Sequence, residues 1–234
     1  DGYVYLANGN ELYRFTGINS ELIGKTASKN QLFTKIFSYK NELWLGSSNG
    51  VYRITLPTGD FQFFSTGSRV NAIAATPQSE VYIASDTGLL KYNGTAELLK
   101  TDQPFELANV VNRNVRDLHI DARGRFYLGM WGEGVIAWQP ETQHAKRWLT
   151  RLSDNMVGNA VQKLVVGSSQ QLWVATRYSG LFQIDLATDN VTQHNTAATS
   201  GITLPHNDVH CVSEYADQLA VCTREGLLLV NLPT

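Results

Sequence analysis

The sequence of 234 residues has no long hydrophobic run and no large excess of either charge. Its longest apolar run, LLLVNL at 227–232, falls well short of the roughly 18 residues that a membrane span needs. The formal net charge is −2, so there is no basic field to attract nucleic acid or an anionic membrane. The opening, DGYVYLANGN, lacks the basic start and apolar centre of a signal peptide. We therefore expect no nucleic-acid partner, and membrane contact only through segments outside this chain.

Cysteine, histidine and proline are also scarce, with 2, 5 and 6 residues. No Cys–His group has the spacing of a zinc site, and we expect neither a metal nor another cofactor. Motifs for a nucleophilic serine elbow, a zinc-protease helix, a P-loop or a calcium loop are absent. Acidic residues such as Asp117 and Asp121 fall at turns and strand edges, where we expect solvated carboxylates rather than an acid/base pair. We therefore name no catalytic residue.

What the sequence does contain is one hairpin pattern that recurs six times. LWLGSSNGVYRI at 43–54 is typical, because two apolar runs flank a polar turn of Ser, Asn and Gly. Each copy has a small residue at a fixed position and a turn residue, usually glycine, four or five positions later. The small residues are Ala7, Gly46, Ala84, Gly129, Ala175 and Cys222, and the turn residues are Glu11, Gly50, Gly88, Gly134, Gly180 and Gly226.

The repeat unit extends beyond the hairpin. A further strand-like run precedes each of the last five hairpins, and a more polar run follows, so a unit has four short strands in 38–46 residues. The first three strands are apolar on both faces, as expected for a sheet buried between two neighbouring sheets. In a β-sandwich each sheet has one face exposed to solvent, and its strands alternate between apolar and polar residues. We predict an all-β fold, a β-propeller of four-stranded antiparallel blades with six units. The first unit lacks its first strand and the last lacks its fourth, and residues 1–234 form one propeller domain or a large part of one.

Several stretches resemble the two-component regulator propeller repeat, which is a known family. They are LHIDARGRFYLGMWGEGVIAW (118–138), LWVATRYSGLFQID (172–185) and LPHNDVHCV (204–212). The resemblance implies the periplasmic sensor region of a bacterial membrane receptor whose cytoplasmic part is a hybrid histidine kinase or a diguanylate cyclase. Such propellers usually have seven blades, so six units imply an irregularly closed ring or part of a larger one. We expect this chain to be a piece of a longer receptor.

Loop lengths locate the predicted binding site over the fourth and fifth units. The connections to the next unit are longest after the third, fourth and fifth hairpins, and the turns MWGEG (130–134) and TRYSG (176–180) each gain one residue. Loops on a rigid scaffold collect binding residues, and Trp, Tyr and Arg are common anchors. The alternative is that the aromatic residues only pack over the sheet ends. The candidate ligand-binding residues are Trp131, Glu133, Arg177, Tyr178, His206 and Arg224, with Arg113 nearby.

Two functions of different classes are compatible with this pattern. The first is a sensory module that recognises a small molecule, a glycan or a protein. The second is a propeller enzyme of the lyase or lactonase type, which needs acidic or histidine side chains at the central mouth. The starts of the first strands offer little beyond His210 and Asp117, and this favours the module. A purely structural propeller that pairs receptors as a homodimer is a third reading that the sequence does not separate.

The two cysteines lie on adjacent predicted strands of the sixth unit. If the turn is centred on Ala216 and Asp217, counting outward places Cys211 opposite Cys222. Opposed residues in an antiparallel pair are close enough for a disulfide. Cys222 also occupies the small-residue position, where a free thiol packs well. The sequence therefore predicts that the two residues are adjacent and leaves bonded and free thiols both open.

Overall fold

The computed structural model describes residues 3–56, 59–93, 96–98, 113–149, 160–198 and 201–232. These residues form twenty-two β-strands in six antiparallel sheets, and no helix occurs among them. The chain divides into an N-terminal unit (residues 1–101) and a C-terminal unit (residues 102–234), each with three sheets. The all-β prediction is confirmed, and the order of the sheets is propeller-like. A single propeller domain over residues 1–234 stays a prediction.

The N-terminal unit contains sheets 1, 2 and 3, each a simple meander. Sheet 1 has three strands and sheets 2 and 3 have four. Their strands are β1 (Val4–Asn8), β2 (Glu11–Thr16), β3 (Asn19–Lys25), β4 (Phe33–Tyr39), β5 (Glu42–Ser47), β6 (Gly50–Thr55), β7 (Asp60–Ser65), β8 (Val70–Ala75), β9 (Val81–Ser85), β10 (Gly88–Tyr92) and β11 (Ala96–Leu98).

The C-terminal unit contains sheets 4, 5 and 6, built in the same way. Their strands are β12 (Val115–Ile120), β13 (Phe126–Met130), β14 (Gly134–Gln139), β15 (His144–Trp148), β16 (Val161–Val166), β17 (Gln171–Thr176), β18 (Leu181–Asp185), β19 (Val191–His194), β20 (Val209–Tyr215), β21 (Gln218–Thr223) and β22 (Gly226–Asn231). Sheet 6 has three strands. Among the described residues, the first sheet therefore lacks its first strand and the last sheet lacks its fourth, as predicted.

Consecutive sheets within each unit pack face to face, with their first strands adjacent. Strand β4 contacts β8 in the N-terminal unit, and β12 contacts β16, which contacts β20, in the C-terminal unit. Sheet 5 shows why its strands are apolar on both faces. Leu172 and Val174 point into the core shared with sheet 4, whereas Trp173 and Ala175 point into the core shared with sheet 6. Successive side chains of a strand point to opposite faces, so both sets are buried.

The small residue in the second strand of a sheet permits this close packing. A Cβ atom on Gly129 would lie 2.6 Å from Cγ1 of Val161, which begins the first strand of the next sheet. Gly46 has the same relation to Val70, again at 2.6 Å. The repeated small residue of the sequence is therefore a packing requirement between neighbouring sheets, as predicted.

The first and last sheets depart from the predicted burial of both faces. Val4 of β1 is 66% exposed, and Leu227 and Leu229 of β22 are each 63% exposed. The opposite face of each sheet is covered, since Leu12 and Val221 are fully buried. Each terminal sheet has only one neighbour within its own unit, so only one of its faces is packed there.

The cysteine register agrees with the prediction. Strands β20 and β21 pair Tyr215 with Gln218 and Cys211 with Cys222. The Cα atoms of the two cysteines are 4.9 Å apart, and the structure contains a disulfide between them.

Candidate functional site

One backbone hydrogen bond recurs at the same edge of five sheets. The residue that enters the hairpin turn after the second strand donates its N–H to the carbonyl of the residue immediately before the first strand. In the C-terminal unit these donors are Trp131 to Asn114, Arg177 to Ala160 and Arg224 to Asp208, each at 3.0 or 3.1 Å. The corresponding donors in the N-terminal unit are Ser48 and Asp86. The repeat thus presents small or acidic residues in one unit and large or cationic residues in the other.

A second repeated feature lies beside the first. Every first strand after sheet 1 has a register shift at its second residue, which is a β-bulge. The register of Cα partners skips the bulged residue, and bulges commonly re-aim a side chain next to a site. The five bulged residues are Thr34, Asn71, Arg116, Gln162 and His210.

Aromatic and arginine side chains from the two rows meet in the C-terminal unit. The guanidinium carbons of Arg116 and Arg177 lie 5.1 Å and 5.6 Å from the ring centre of Trp131. Arg177 also lies 5.5 Å from the ring of Tyr178. All three separations are within the range of cation–π attraction. Trp131 is 37% exposed and Tyr178 is 56% exposed, so both rings retain surface for a ligand. We call Arg116, Trp131, Arg177 and Tyr178 the aromatic–arginine cluster.

The remaining predicted residues lie on either side of this cluster. Glu133 forms an ion pair with Arg113, and both residues belong to sheet 4 or its flanking turn. His206 and Arg224 instead meet at Asp208, at the start of sheet 6. The His206 Nδ1 atom accepts the Asp208 N–H at 2.8 Å, and the Arg224 N–H donates to the Asp208 carbonyl. His206 therefore orders the approach to β20 through Asp208.

Gln162 links sheets 5 and 6 at the same edge. Its Nε2 atom lies 3.4 Å from Oδ1 of Asp208 and 3.4 Å from Nδ1 of His210. The two bulged residues Gln162 and His210 are thus neighbours. The edge of the C-terminal unit carries the ion pair of Arg113 with Glu133. It also carries three arginines and two carboxylates, which are Arg116, Arg177, Arg224, Asp208 and Glu225. The local charge is therefore slightly positive and favours an anionic group.

Asp117 corrects the prediction of solvated carboxylates. Its side chain is only 2% exposed, although it lies next to the bulged residue of β12. Oδ2 accepts the backbone N–H of Leu164 at 2.7 Å, and the ammonium group of Lys163 lies 3.0 Å away. Both partners are in the first strand of the next sheet. Asp117 therefore links sheets 4 and 5 by a hydrogen bond and an ion pair. The sequence could not predict this link because the partners lie far away in the chain.

Replacing Asp117 tests this role. The Asp117→Ala variant leaves the buried Leu164 N–H without an acceptor, so we expect the free energy of unfolding to fall by roughly 1–3 kcal/mol. Asp117→Asn keeps one acceptor oxygen and loses the ion pair, so its loss should be smaller. Urea denaturation followed by tryptophan fluorescence measures both. Equal stability of the alanine variant and the unchanged protein would contradict the assignment.

Sequence reasoning found three of the four members of the aromatic–arginine cluster and missed Arg116. Trp131, Arg177 and Tyr178 stood out because their turns are one residue longer. Arg116, Gln162 and His210 follow the first-strand valines, but the sequence gives no sign that these positions bulge. The long connections used in that prediction fall mainly at 99–112 and 150–159, which lie outside the described residues.

No metal centre or membrane-spanning helix is seen in the described part of the chain. No three His, Cys, Asp or Glu side chains there are grouped to hold a metal ion. None of the described segments forms a helix long and apolar enough to span a bilayer.

Comparison with known proteins identifies relatives in structure but not in sequence. No protein-family model and no curated protein matches the chain. The chain is similar to the extracellular domain of the hybrid two-component system BT3049 from B. thetaiotaomicron, with a TM-score of 0.73, 13% identity, and coverage of 99% of this chain and 32% of that chain. It is also similar to the extracellular domain of the one-component system BT4673 from B. thetaiotaomicron, with a TM-score of 0.68, 15% identity, and coverage of 97% and 36%. The chain thus spans about a third of these two proteins, which agree with the family resemblance seen in the sequence.

An enzyme has a comparable fold. A catalytically inactive virginiamycin B lyase from Staphylococcus aureus, solved with quinupristin, gives a TM-score of 0.71 at 10% identity. The match covers 100% of this chain and 81% of that chain. At such low identity these similarities establish the fold alone.

Proposed function

We propose that the chain is a β-propeller module that senses a ligand or partner outside the cytoplasm for a bacterial membrane signalling receptor. The observation that carries the proposal is the aromatic–arginine cluster. The repeat position that holds Ser48 and Asp86 in the N-terminal unit holds Trp131, Arg177 and Arg224 in the C-terminal unit. Partly exposed Trp and Tyr rings with adjacent arginines are typical of binding hot spots.

Two further observations support the location and the class. The structural relatives BT3049 and BT4673 are extracellular domains of signalling systems. The disulfide between Cys211 and Cys222 suits an oxidising compartment such as the periplasm. A receptor homodimer stays a prediction, which light scattering on the purified chain would test.

The positive edge indicates a ligand with an anionic group and an apolar or sugar-like face. We expect a thermal-shift and calorimetric screen of carboxylated, sulfated and neutral saccharides and of dicarboxylates to yield anionic binders. The Trp131→Ala/Arg177→Ala double variant should weaken such a binder by tenfold or more, about 1.4 kcal/mol or more, since one cation and one ring are removed.

The matched control is Ser48→Ala, which alters the same repeat position in the N-terminal unit and should leave binding unchanged. The melting temperature of the double variant should stay close to that of the unchanged protein, because both side chains are partly exposed. A double variant that unfolds would show that the cluster packs the sheet ends. A neutral ligand bound equally well by the unchanged protein and the double variant would locate the site elsewhere.

A propeller enzyme of the lyase or lactonase type is the second candidate. It is favoured by the similarity to the lyase and by the His210 ring, whose Nδ1 lies 3.7 Å from Oδ1 of Asp208 at the same edge. Any binder found in the screen can be incubated with the protein and analysed by mass spectrometry. Conversion that is lost in the His210→Ala variant would support the enzyme, and an unconverted ligand would support the sensory module.

A further inference from the structure

Sheets 2 and 3 share a charged arrangement around one aromatic side chain. In sheet 2, the indole N–H of Trp44 donates to Glu42 at 3.0 Å. Arg53, directly opposite Trp44 in the ladder, forms an ion pair with the same carboxylate and lies 5.8 Å from the Trp44 ring. Within this one sheet, the carboxylate, the aromatic ring and the cation therefore each contact the other two.

Sheet 3 repeats this set with different side chains. The Tyr82 hydroxyl donates to Glu80 at 3.2 Å, and Lys91 is directly opposite Tyr82. The Lys91 ammonium group forms an ion pair with Glu80 and lies 5.7 Å from the Tyr82 ring. The carboxylate is again two residues before the aromatic residue.

Sheet 5 has the aromatic ring without either charge. Gln171 and Trp173 occupy the positions of Glu42 and Trp44, and Gln183 is opposite Trp173 in the ladder. The carboxylate comes from the neighbouring sheet instead, because the indole N–H of Trp173 donates to Glu214 of β20 at 2.8 Å. Among the described residues, no lysine, arginine or histidine forms an ion pair with Glu214.

The Glu214 carboxylate is fixed in this position. The backbone N–H and the hydroxyl of Ser168 both donate to its Oε1 atom at 2.7 Å. A Cβ atom on Gly167 would lie 2.1 Å from its Oε2 atom, so a larger residue at this position would displace the carboxylate. Burial acts to raise the pKa of Glu214, but the hydrogen bonds from Ser168 and Trp173 outweigh it and lower the pKa. The group is therefore an anion at neutral pH.

A cavity of about 350 Å³ opens beside this anion, between sheets 5 and 6. Its polar wall includes Glu214 and Gln183, and its apolar wall includes Ile202, Val230 and Leu232. His194 also lines it, but burial lowers the pKa of that imidazole. Its Nδ1 atom accepts the Ile202 N–H at 3.1 Å, so Nε2 carries the proton and donates to Gln183 at 3.3 Å. Neutral His194 therefore does not supply the missing positive charge.

We propose that this cavity binds a small organic cation, a primary ammonium or guanidinium group on a short apolar stem. Its charge lies against Glu214, in the role that Arg53 has beside Glu42. The stem lies against Ile202 and Val230. This site is separate from the aromatic–arginine cluster, and its ligand has the opposite charge.

Isothermal titration calorimetry with butylammonium, agmatine and neutral 1-butanol tests the proposal. We expect both cations to bind and butanol not to bind. Glu214→Gln should weaken the cations by tenfold or more, because it removes a charge-assisted hydrogen bond. Glu214 also holds Ser168 and Trp173, so a second variant is needed in case the first fails to fold. Gln183→Arg adds the chain's own cation opposite Trp173 and should abolish binding.

Glu42→Gln is the matched control. It removes the equivalent carboxylate in sheet 2, where Arg53 already supplies the cation. It should leave the affinity for both amines unchanged. Three results would overturn the proposal: no cation binds, butanol binds as well as butylammonium, or Gln183→Arg binds the amines as tightly as the unchanged protein.

Discussion

Gly129→Leu should destabilise the C-terminal unit by about 3 kcal/mol or more, because the added side chain has no space to occupy. Even a Cβ atom at this position would lie 2.6 Å from Cγ1 of Val161 and 3.3 Å from Cγ of Leu164. Val161 is fully buried and begins the first strand of sheet 5. It has one stiff rotatable bond, so it cannot move aside without shifting the strand.

The Gly129→Ala variant should be milder, with a loss of about 1 kcal/mol. Alanine already occupies this repeat position in sheet 5, where Ala175 is fully buried against sheet 6. Thr192→Leu on the exposed face of β19 serves as the control for adding an apolar side chain, and it should change stability little. Denaturant unfolding with an unchanged slope measures all three. If Gly129→Leu is as stable as Thr192→Leu, the two sheets are not in close contact at this position.

Local spacing explains what could be predicted from the sequence. Paired strands, the small-residue position and the partner of Cys211 depend on residues less than about fifteen positions apart. A two-residue turn centred on Ala216 and Asp217 sets the register of β20 and β21, and the counted pairs are those observed. The same alternation accounts for the burial of Leu172 and Trp173 on opposite faces.

Contacts between sheets explain what could not be predicted. Asp117 and Glu214 look like ordinary edge carboxylates in sequence, but each receives hydrogen bonds from residues more than forty positions away. The bulges that present Arg116 and His210 depend on strand geometry, and no residue type at those positions signals them. The exposed faces of β1 and β22 depend on which neighbour covers a sheet, and strand composition does not reveal that.

The disulfide between Cys211 and Cys222 gives the second large effect. Its sequence separation is 11 residues, and the closed loop contains the β20–β21 turn. On the chain-entropy estimate, closing a loop of about 12 residues stabilises the folded state by about 3 kcal/mol. We expect the Cys211→Ala/Cys222→Ala variant to lose stability of this order. Alanine keeps the small-residue position small, as in sheets 1, 3 and 5, so the loss reports the missing bond and not a packing defect.

The measurement compares denaturant unfolding of the unchanged protein and the double variant, each with and without a reductant. Reductant should lower the stability of the unchanged protein to about that of the double variant, and it should not affect the variant. When the unchanged protein is unfolded without reductant, a thiol reagent should detect no free thiol. If both thiols react, Cys222 is a free thiol in the small-residue position, and the pairing of β20 with β21 stands without the bond. That result would also remove one of the two supports for an oxidising compartment and leave only the extracellular relatives.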